Sequence, residues 1–390
     1  MSGHSPRNGG DSREINAAAN ALPGNTPRKW RAGVLGATGL VGQRLVNLLA
    51  GHPWFELSEV AASERSSGKT YAEAVRWNLE GPIPQGSRDL VVKGLEPALD
   101  CDFVFSALDS SVAGSAEEDF AGAGYPVVSN SKNHRMDPDV PLLIPEVNAA
   151  HLAAIPVQQK NRGYSSGFMV TNPNCSTAGL VLVLKPLADA FGLEKIFVAT
   201  LQAVSGAGYP GVPSMDIHAN VIPFISGEEE KMESEPQKLL GQWNGARFVE
   251  AGLGLSAHCN RVPVLDGHLE CVSVSLKKIA SLGEVREALR NFEVSRELAA
   301  LPTAVRHPVV VLDGEDRPQP RHDVSAGNGM AAVVGRVRAC PLLDVKLTLL
   351  SHNLVRGAAG AALLNAELLA ARGFLTHRVS HRQLTPSVTK

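Results

Sequence analysis

Short apolar runs alternate with amphipathic segments through the first third of the chain, a pattern typical of a parallel sheet flanked by helices. An apolar strand around residues 32–35 precedes a segment whose apolar positions, within residues 41–49, share one face of a helix. The further runs FELSEVAAS, CDFVFSAL and YPVVSN have small polar residues nearby and predict additional strands. Ligands of such sheets bind beyond the carboxyl ends of the strands. The residues predicted at those ends are Ser106, Ala107, Ser129 and Asn130.

Three glycines, Gly36, Gly39 and Gly42, connect the first predicted strand to its helix in a GxxGxxG arrangement. Glycine lets the backbone approach a pyrophosphate, and the free N–H groups at the start of a helix bind its charge. The order of strand, glycines and amphipathic helix therefore predicts a dinucleotide-binding turn, with a tight turn that merely needs small residues as the alternative. The predicted cofactor contacts in this turn are Gly36, Ala37, Thr38, Gly39, Leu40 and Val41.

The segment SERSSGK after the second predicted strand contains an acid, a cation and several hydroxyl groups. An acid such as Glu64 would bind the ribose 2′-hydroxyl of NAD, whereas Arg65 and its neighbouring serines suit the 2′-phosphate of NADP. Because the cation and the hydroxyls outnumber the acid, the segment favours NADP; a solvated turn is the alternative. The predicted contacts here are Ser63, Arg65 and Ser66, joined by Ser106 and Ala107 from the strand ends.

The stretch NPNCSTAGL places Cys175 at the start of an apolar helix, directly behind Pro173 and Asn174. The thiolate is the nucleophilic form of cysteine, and the positive end of a helix lowers the pKa of a thiol. Asn174 and the N–H groups beyond Cys175 are candidate donors to an oxyanion. The sequence therefore predicts a catalytic nucleophile, with a small apolar residue at a helix start as the alternative.

Three other segments carry candidate partners for this thiol. RVPVLDGHLEC contains Arg261 and, seven positions later, His268, which titrates near neutrality and can transfer protons. EEEKMESE carries Glu228 and Lys231 one helical turn apart, so both can face one site, although a solvated charged helix explains them equally well. Gln202 ends a predicted strand before a second glycine-rich loop, SGAGYPG.

Composition limits the possible functions. The chain has 390 residues, 44% of them hydrophobic, which suffices for two or three domains with real cores. A formal net charge of −2 provides no bulk basic field, so no nucleic-acid or membrane partner is expected. The five cysteines lack CxxC spacing, which argues against a disulfide scaffold or a metal site and favours a reducing, cytoplasmic compartment.

Eight segments, in one consistent order, resemble those of the aspartate-β-semialdehyde dehydrogenase family. They are GATGLVGQRL, SERSSGK, SNSKNHRMDPDVPLLIPEVN, NPNCSTAG, QAVSGAGYPGVPS, EEEKMESE, RVPVLDGH and SHNLVRGAAGAALLNAELL. The resemblance extends from about residue 30 to about residue 372, and the form SGAGYPGVPS is similar to that of the archaeal and fungal branch. The long polar N-terminal tail departs from the family core.

The resemblance implies an α/β fold, with a Rossmann-type NADP-binding domain and an α+β catalytic and dimerisation domain. The expected boundaries are 30–158 for the first domain, completed by a C-terminal helix at 352–372, and 159–351 for the second. Residues 1–29, rich in Gly, Asn and Ser, are predicted to be disordered, and residues 373–390 to be a second loose tail. A homodimer or homotetramer is expected.

The family makes L-aspartate-4-semialdehyde from L-aspartyl-4-phosphate with NADPH, on the route to lysine, threonine and methionine. A cysteine attacks the acyl phosphate, phosphate leaves, and a hydride reduces the thioester. By position, the resemblance implies that Cys175 is the nucleophile, His268 the general acid/base and Gln202 a residue that positions the substrate.

The resemblance also implies the substrate and nicotinamide contacts. Arg261 would bind the α-carboxylate of the substrate and Glu228 its amino group. Arg135 and Lys231 would bind the leaving phosphate. Asn353 is expected near the nicotinamide, and Ser205 and Gly206 are further expected cofactor contacts.

Two other readings compete with this one. An acyl-CoA reductase such as malonyl-CoA reductase shares the fold and the thioester chemistry, but its leaving group is CoA and Glu228 would have no amino group to bind. A nucleotide-sensing regulator built on the glycine turn would not need Cys175, His268 and Arg261 together. Oxidation of the semialdehyde with phosphate and NADP distinguishes the three.

Overall fold

The structure is a computed structural model that describes residues 28–378, so nearly all of the predicted N-terminal tail lies outside the described residues. Within them the chain forms two six-stranded sheets and one two-stranded ribbon. No helix in this part of the chain has the length and apolar character needed to cross a bilayer.

The first sheet is entirely parallel, in the order β3-β2-β1-β4-β5-β6. This order reverses at β1, so the crevice beside the carboxyl end of β1 is the expected ligand site. The strands are β1 (Trp30–Leu35), β2 (Phe55–Ala61), β3 (Val92–Lys93), β4 (Phe103–Ser106), β5 (Pro126–Ser129) and β6 (Phe168–Thr171). The helices up to the domain junction are α1 (Leu40–Leu49), α2 (Tyr71–Ala74), α3 (Ser110–Gly122), α4 (Pro145–Asn148), α5 (Ile155–Arg162) and α6 (Cys175–Phe191).

The second sheet is mixed, in the order β10-β7-β11-β14-β13-β12, with parallel pairs only at its two edges. Its strands and those of the ribbon β8–β9 are β7 (Leu193–Gln202), β8 (Gln242–Trp243), β9 (Phe248–Val249), β10 (Gly254–Arg261), β11 (His268–Leu276), β12 (Val309–Val311), β13 (Ala332–Ala339) and β14 (Val345–Ser351). The remaining helices are α7 (Ser214–Ile217), α8 (Glu228–Leu239), α9 (Leu282–Arg290), α10 (Arg296–Ala299), α11 (Pro320–Asp323) and α12 (Gly360–Ala371), the last preceded by a π-helical turn over Val355–Ala359.

Helix α6 joins the two domains. Its apolar side chains pack against one face of the second sheet, where Leu180 belongs to the same buried cluster as Val198, Val272 and Leu347. The residues of β7 and β11 that point the other way, Phe197 among them, are exposed or half-buried. The second sheet is therefore covered by helices on one face only, as an antiparallel arrangement allows.

The closing helix α12 returns to the first domain. Residues 360–370 are buried on every side, which is typical of a helix inside a core. Leu363 and Leu369 share a cluster with Val34 and Phe105 of the parallel sheet. The C-terminal segment is thus part of the first domain's core.

Two expected boundaries need correction. Strand β6 pairs with β5 and is the sixth strand of the parallel sheet, so the predicted boundary at residue 158 is too early. The predicted loose end after Arg372 is partly ordered: the Arg378 N–H donates to Asp102 at 2.9 Å, and its guanidinium lies 3.6 Å from the Tyr125 ring centroid. A short polar segment gave no sign of these contacts because its partners are some 250 or more residues away.

A buried ion pair ties the π-helical turn to the first domain. Arg356 donates to both carboxylate oxygens of Glu146, at 2.5 and 3.2 Å, and to the carbonyl oxygen of Met330 at 2.7 Å. Both side chains of the pair are 1% exposed. The pair fixes the π-helical turn. Gly357, the residue after Arg356, lies against Cys175, since a Cβ built on Gly357 would be 2.6 Å from the Cys175 Cβ.

We expect Arg356→Met to destabilise the fold by about 3–5 kcal/mol, because it leaves a carboxylate buried without its partner. The double variant Arg356→Met/Glu146→Leu should regain most of that loss. Urea unfolding followed by tryptophan fluorescence measures both. Arg290→Met, which breaks the exposed Arg290–Asp313 pair, is the matched control and should cost less than about 1 kcal/mol. A similarly small loss in Arg356→Met would contradict the expectation.

Candidate active site

The thiol and the imidazole predicted to work together meet at the junction of the two domains. Cys175 is the first residue of α6, and its Sγ lies 3.2 Å from Nε2 of His268, the first residue of β11. The preceding Asn174 caps the helix, because its side-chain oxygen accepts from the N–H groups of Ser176 and Thr177 at 2.9 and 3.2 Å. The cap holds the thiol at the mouth of the helix.

This cap changes which donors can reach an oxyanion. The N–H groups of Ser176 and Thr177 are bound by Asn174, whose own amide donates to Glu228 at 2.8 Å. The N–H groups of Ser176 and Thr177 are therefore not available to an oxyanion, contrary to the expectation, and the Asn174 amide is engaged by Glu228. Among the described residues, the Cys175 N–H is the backbone donor of this turn that meets no acceptor. It is the group positioned for that role.

The hydrogen bonds of His268 determine its tautomer. Its Nδ1 accepts from the N–H of Ala203 at 3.1 Å, so the proton of the neutral ring is on Nε2, facing the sulfur. Burial lowers the pKa of His268 to about 3. A doubly protonated ring would also place two N–H donors against each other at Nδ1. His268 is therefore a neutral donor through Nε2 and not the cationic partner of a thiolate.

Burial also controls the thiol. Although the side chain of Cys175 faces the cavity, the surrounding protein desolvates the thiolate and raises the pKa to about 12, and Glu228 acts in the same direction. The cations Lys231, Arg135 and Arg261 oppose this rise without cancelling it. The lowered pKa expected from the helix start is thus outweighed by desolvation. The resting pair is a thiol beside a neutral imidazole.

The four predicted substrate contacts lie on one cavity with the thiol. Glu228 accepts from Lys231 Nζ at 2.5 Å, as their spacing of one turn on α8 predicted. Arg261, at the end of β10, donates to the carbonyl oxygen of Ala203 at 2.8 Å. Arg135 donates from one terminal nitrogen to Glu235 at 2.8 Å and remains on the cavity wall.

Gln202 differs from its expected position. It ends β7, in register with Arg261 of β10 and one residue beyond the Leu201–Leu269 pair. Its amide turns inward to Thr200 at 3.3 Å, it is 1% exposed, and it does not line the cavity. In this structure it is a neighbour of the site and not part of its surface.

The cavity measures about 810 Å³ and runs from the glycine turn to Cys175. A majority of the predicted cofactor contacts line it: Thr38, Gly39, Leu40, Val41, Ala107, Ser205, Gly206 and Asn353. Cations outnumber acids on its wall. The cations are Arg76, Lys132, Arg135, Lys231 and Arg261, and the acids are Asp109 and Glu228. This local excess suits an anionic ligand in a chain whose net charge is slightly negative.

The glycines of the first turn have different tasks. A Cβ on Gly36 would lie 2.5 Å from the carbonyl oxygen of Ala107, and one on Gly42 would lie 2.2 Å from that of Gly36. These two glycines permit backbone packing. A Cβ on Gly39 would meet nothing nearer than 3.4 Å, so its missing side chain leaves room at the start of α1. That helix has no side-chain cap, and its first N–H groups are free for a phosphate, which fits a dinucleotide.

The remaining predicted cofactor residues do not line the cavity. Gly36, Ala37 and Ser106 lie behind its wall, where Ala37 and Ser106 are fully buried. Ser63 and Arg65 are exposed on the turn after β2, with Ser66 partly exposed beside them. This turn is adjacent to the glycine turn because Gly36 N–H donates to Ala61, the last residue of β2, at 2.8 Å. Recognition of a 2′-phosphate there remains a prediction.

Asn353 connects the second glycine-rich loop to the residue directly before β11, the strand that begins at His268. Its side chain donates to the Ser205 hydroxyl at 2.8 Å and accepts from the Gly267 N–H at 2.9 Å. Gly206 is confined by the same cluster, since a Cβ there would lie about 3 Å from both Arg261 and His268. The loop therefore passes directly over the imidazole.

Sequence reasoning missed two residues of α8. Glu235 accepts from Arg135 and from the backbone N–H of Asn174, and Lys238 donates to the carbonyl oxygens of Arg135, Asp137 and Val140 at 2.7–2.8 Å. The sequence did contain a signal for these two residues. Glu228, Glu235 and Lys238 follow one another at helical spacing, so all three polar residues lie on the face that α8 buries.

A second omission lies near the glycine turn. Gln43 donates to the carbonyl oxygens of Thr38 and Arg76, at 2.8 and 3.0 Å, and accepts from the Asn78 N–H. Arg76 and Asn78 consequently line the cavity, and the Arg76 guanidinium lies 4.8 Å from the ring centroid of Tyr209 in the opposite domain. No local pattern in the sequence indicated this contact.

The sequence profile of the semialdehyde dehydrogenase NAD binding domain matches residues 31–155, and that of the semialdehyde dehydrogenase dimerisation domain matches residues 184–356. With the sheets and the thiol described above, these matches confirm the predicted fold class. The fold is that of a two-domain semialdehyde dehydrogenase.

Individual relatives narrow the class. The chain is 52% identical over 342 residues to the aspartate-semialdehyde dehydrogenase of Archaeoglobus fulgidus, covering 87% of this chain and 98% of the relative. It is 47% identical over 360 residues to that of Trichophyton rubrum, covering 90% and 99%. The crystal structure of the Candida albicans enzyme with NADP matches with a TM-score of 0.82 at 44% identity, covering 89% and 100%. The chain therefore belongs to the aspartate-semialdehyde dehydrogenase family, and the predicted kinship with archaeal and fungal members is confirmed.

We expect Cys175 to be alkylated slowly by iodoacetamide near pH 7 and faster at higher pH, by about tenfold per pH unit up to pH 9.5, because a raised thiol pKa leaves little thiolate. Mass spectrometry of the Cys175 peptide measures the rate, and free cysteine is the reference compound. A plateau below pH 8 would mean that the helix start prevails over desolvation.

Proposed function

We propose that this protein catalyses the reversible, NADPH-dependent conversion of L-aspartyl-4-phosphate to L-aspartate-4-semialdehyde and phosphate, a step of amino-acid biosynthesis. The observation that carries the proposal is the Cys175–His268 pair at 3.2 Å on a cavity with excess positive charge. Family membership and the NADP in the Candida albicans structure support it.

The thiol of Cys175 attacks the acyl carbon, its proton passes to an oxygen of the leaving phosphate, the C–O bond to phosphate breaks, and a thioester forms on Cys175. The carbonyl oxygen gains negative charge in this step and again when the thioester is reduced. The Nε2–H of His268, which faces the sulfur, and the Cys175 N–H, which has no acceptor among the described residues, would stabilise that charge. After hydride transfer, the Nε2–H of His268 stabilises the thiohemiacetal oxyanion by a hydrogen bond. Collapse of this anion breaks the C–S bond and releases the aldehyde, and the sulfur takes up a proton from solvent.

NADPH, when bound, supplies the hydride that reduces the thioester. The uncapped start of α1, with Thr38 and Gly39 on the cavity wall, would hold its pyrophosphate. Ser205, Gly206 and Asn353 line the same cavity, with Gly206 beside His268, and would orient the nicotinamide. For the 2′-phosphate we propose Arg65, with Ser63 and Ser66 beside it.

The substrate would lie with its two ends on opposite sides of the thiol. Arg261 is buried, has one nitrogen on the Ala203 carbonyl oxygen and would bind the α-carboxylate with its remaining donors. Glu228 would bind the amino group. Arg135 and Lys231, both of which act electrostatically on Cys175, would bind the phosphate. Gln202 would take part after a rotamer change that frees its amide from Thr200.

For assembly and location we propose a cytoplasmic homodimer or homotetramer. The uncovered face of the second sheet, with Phe197 42% exposed, would form the contact between subunits, in line with the dimerisation-domain profile. All five cysteines are free thiols, which favours a reducing compartment.

The full chain should oxidise L-aspartate-4-semialdehyde with NADP only when phosphate is present, since phosphate must cleave the thioester. Absorbance of NADPH at 340 nm measures the rate. Cys175→Ser should abolish turnover while still binding NADP, because an alcohol is far less nucleophilic. Oxidation that is independent of phosphate and stimulated by CoA would instead identify an acyl-CoA reductase.

We expect Arg261→Lys to lower kcat/KM for the semialdehyde at least about tenfold, or about 1.4 kcal/mol, because lysine keeps the charge and loses the bidentate geometry. The same variant should bind NADPH with unchanged affinity, which fluorescence titration tests. A variant as active as the wild type would remove Arg261 from carboxylate recognition.

A further inference from the structure

Glu235 of helix α8 has two hydrogen-bond partners, one on each of its carboxylate oxygens. One oxygen of Glu235 accepts from a terminal nitrogen of Arg135 at 2.8 Å, and the other accepts from the backbone N–H of Asn174 at 2.6 Å. Glu235 is 1% exposed. One partner is the arginine proposed to bind phosphate; the other belongs to the residue directly before the nucleophile.

We propose that Glu235 is a positioning residue that couples the phosphate site to the turn carrying Cys175, an inference that rests on the function proposed above. It sets the direction of the Cys175 N–H and, through Arg135, the strength with which phosphate is held. Glu235 itself touches no reacting atom.

The coupling to the nucleophile follows from the cap. The side chain of Asn174 contacts Ser176, Thr177 and Glu228, and its backbone N–H supplies a further contact that fixes the start of the turn. Glu235 is the acceptor of that N–H. Without this acceptor a buried N–H loses its partner and the turn shifts to find another. A shift of about 1 Å at the Cys175 N–H is enough to cost up to about a hundredfold in rate.

The coupling to phosphate follows from charge. Arg135 is anchored by Glu235, by the Asn130 carbonyl oxygen at 2.8 Å, and through its backbone by Lys238. These contacts hold the guanidinium on the cavity wall. The negative charge of Glu235 also offsets part of the positive charge that phosphate would meet. Glu235 thus lowers the affinity for phosphate while it fixes the position of the Arg135 guanidinium.

The test is Glu235→Gln in the full chain, assayed as semialdehyde oxidation at varied phosphate. We expect kcat to fall at least about tenfold and KM for phosphate to fall roughly threefold or more, because a nearby negative charge is gone. A side chain that merely supports the fold would not tighten phosphate while slowing turnover.

Two further variants sharpen the test. Glu235→Asp keeps the charge but is too short to span both partners, so kcat should fall with KM for phosphate unchanged. Glu230→Gln makes the same chemical change at an exposed position of α8 and should leave both constants as in the wild type.

An unchanged kcat in Glu235→Gln, or a KM for phosphate that rises or stays constant, would overturn the coupling. Should Glu235→Gln fail to bind NADPH, Glu235→Asp decides alone: an unchanged kcat there overturns the proposal, and a lower kcat at constant KM supports it. A wild-type enzyme that ignores phosphate would instead contradict the proposed function, so the two failures are distinguishable.

Discussion

The start of α6 is the point on which the site depends. A helix leaves its first N–H groups without partners, and here Asn174 takes two of them while Glu228 and Glu235 hold Asn174 in turn. Among the described residues, the Cys175 N–H is the backbone donor of this turn that is left without an acceptor, and it lies beside the sulfur. The turn thus binds its other backbone N–H groups and leaves free the one next to the nucleophile.

Desolvation decides the protonation of this site. Burial raises the pKa of Cys175 and lowers that of His268, so both groups are neutral at rest. A neutral pair avoids burying an ion pair before substrate arrives, and it leaves the Nε2 proton available for an oxygen that becomes negative during turnover. The cavity cations then provide the positive charge that the imidazole does not.

Several features were readable from the sequence because they depend on neighbouring residues. The glycine turn, the strands around it and the cysteine at a helix start each follow from spacing within about ten positions, and all are present in the structure. The pairing of Glu228 with Lys231 followed from helical periodicity in the same way. Residue chemistry made His268 and Arg261 candidates, and the family resemblance assigned their roles, because no local pattern distinguishes them from other loop residues.

Tertiary structure decided what depends on distant residues. The partner of the Cys175 thiol is 93 positions away, that of Asn174 is 61, and the carbonyl groups held by Lys238 are about a hundred. Local signals predicted a lowered thiol pKa and free N–H groups after Cys175; long-range desolvation and the side-chain cap reversed both. The sequence alone determined the kinds of residue and the elements that carry them. Only the packed structure determined their charge states and hydrogen-bond partners, because burial and distance are properties of the whole fold.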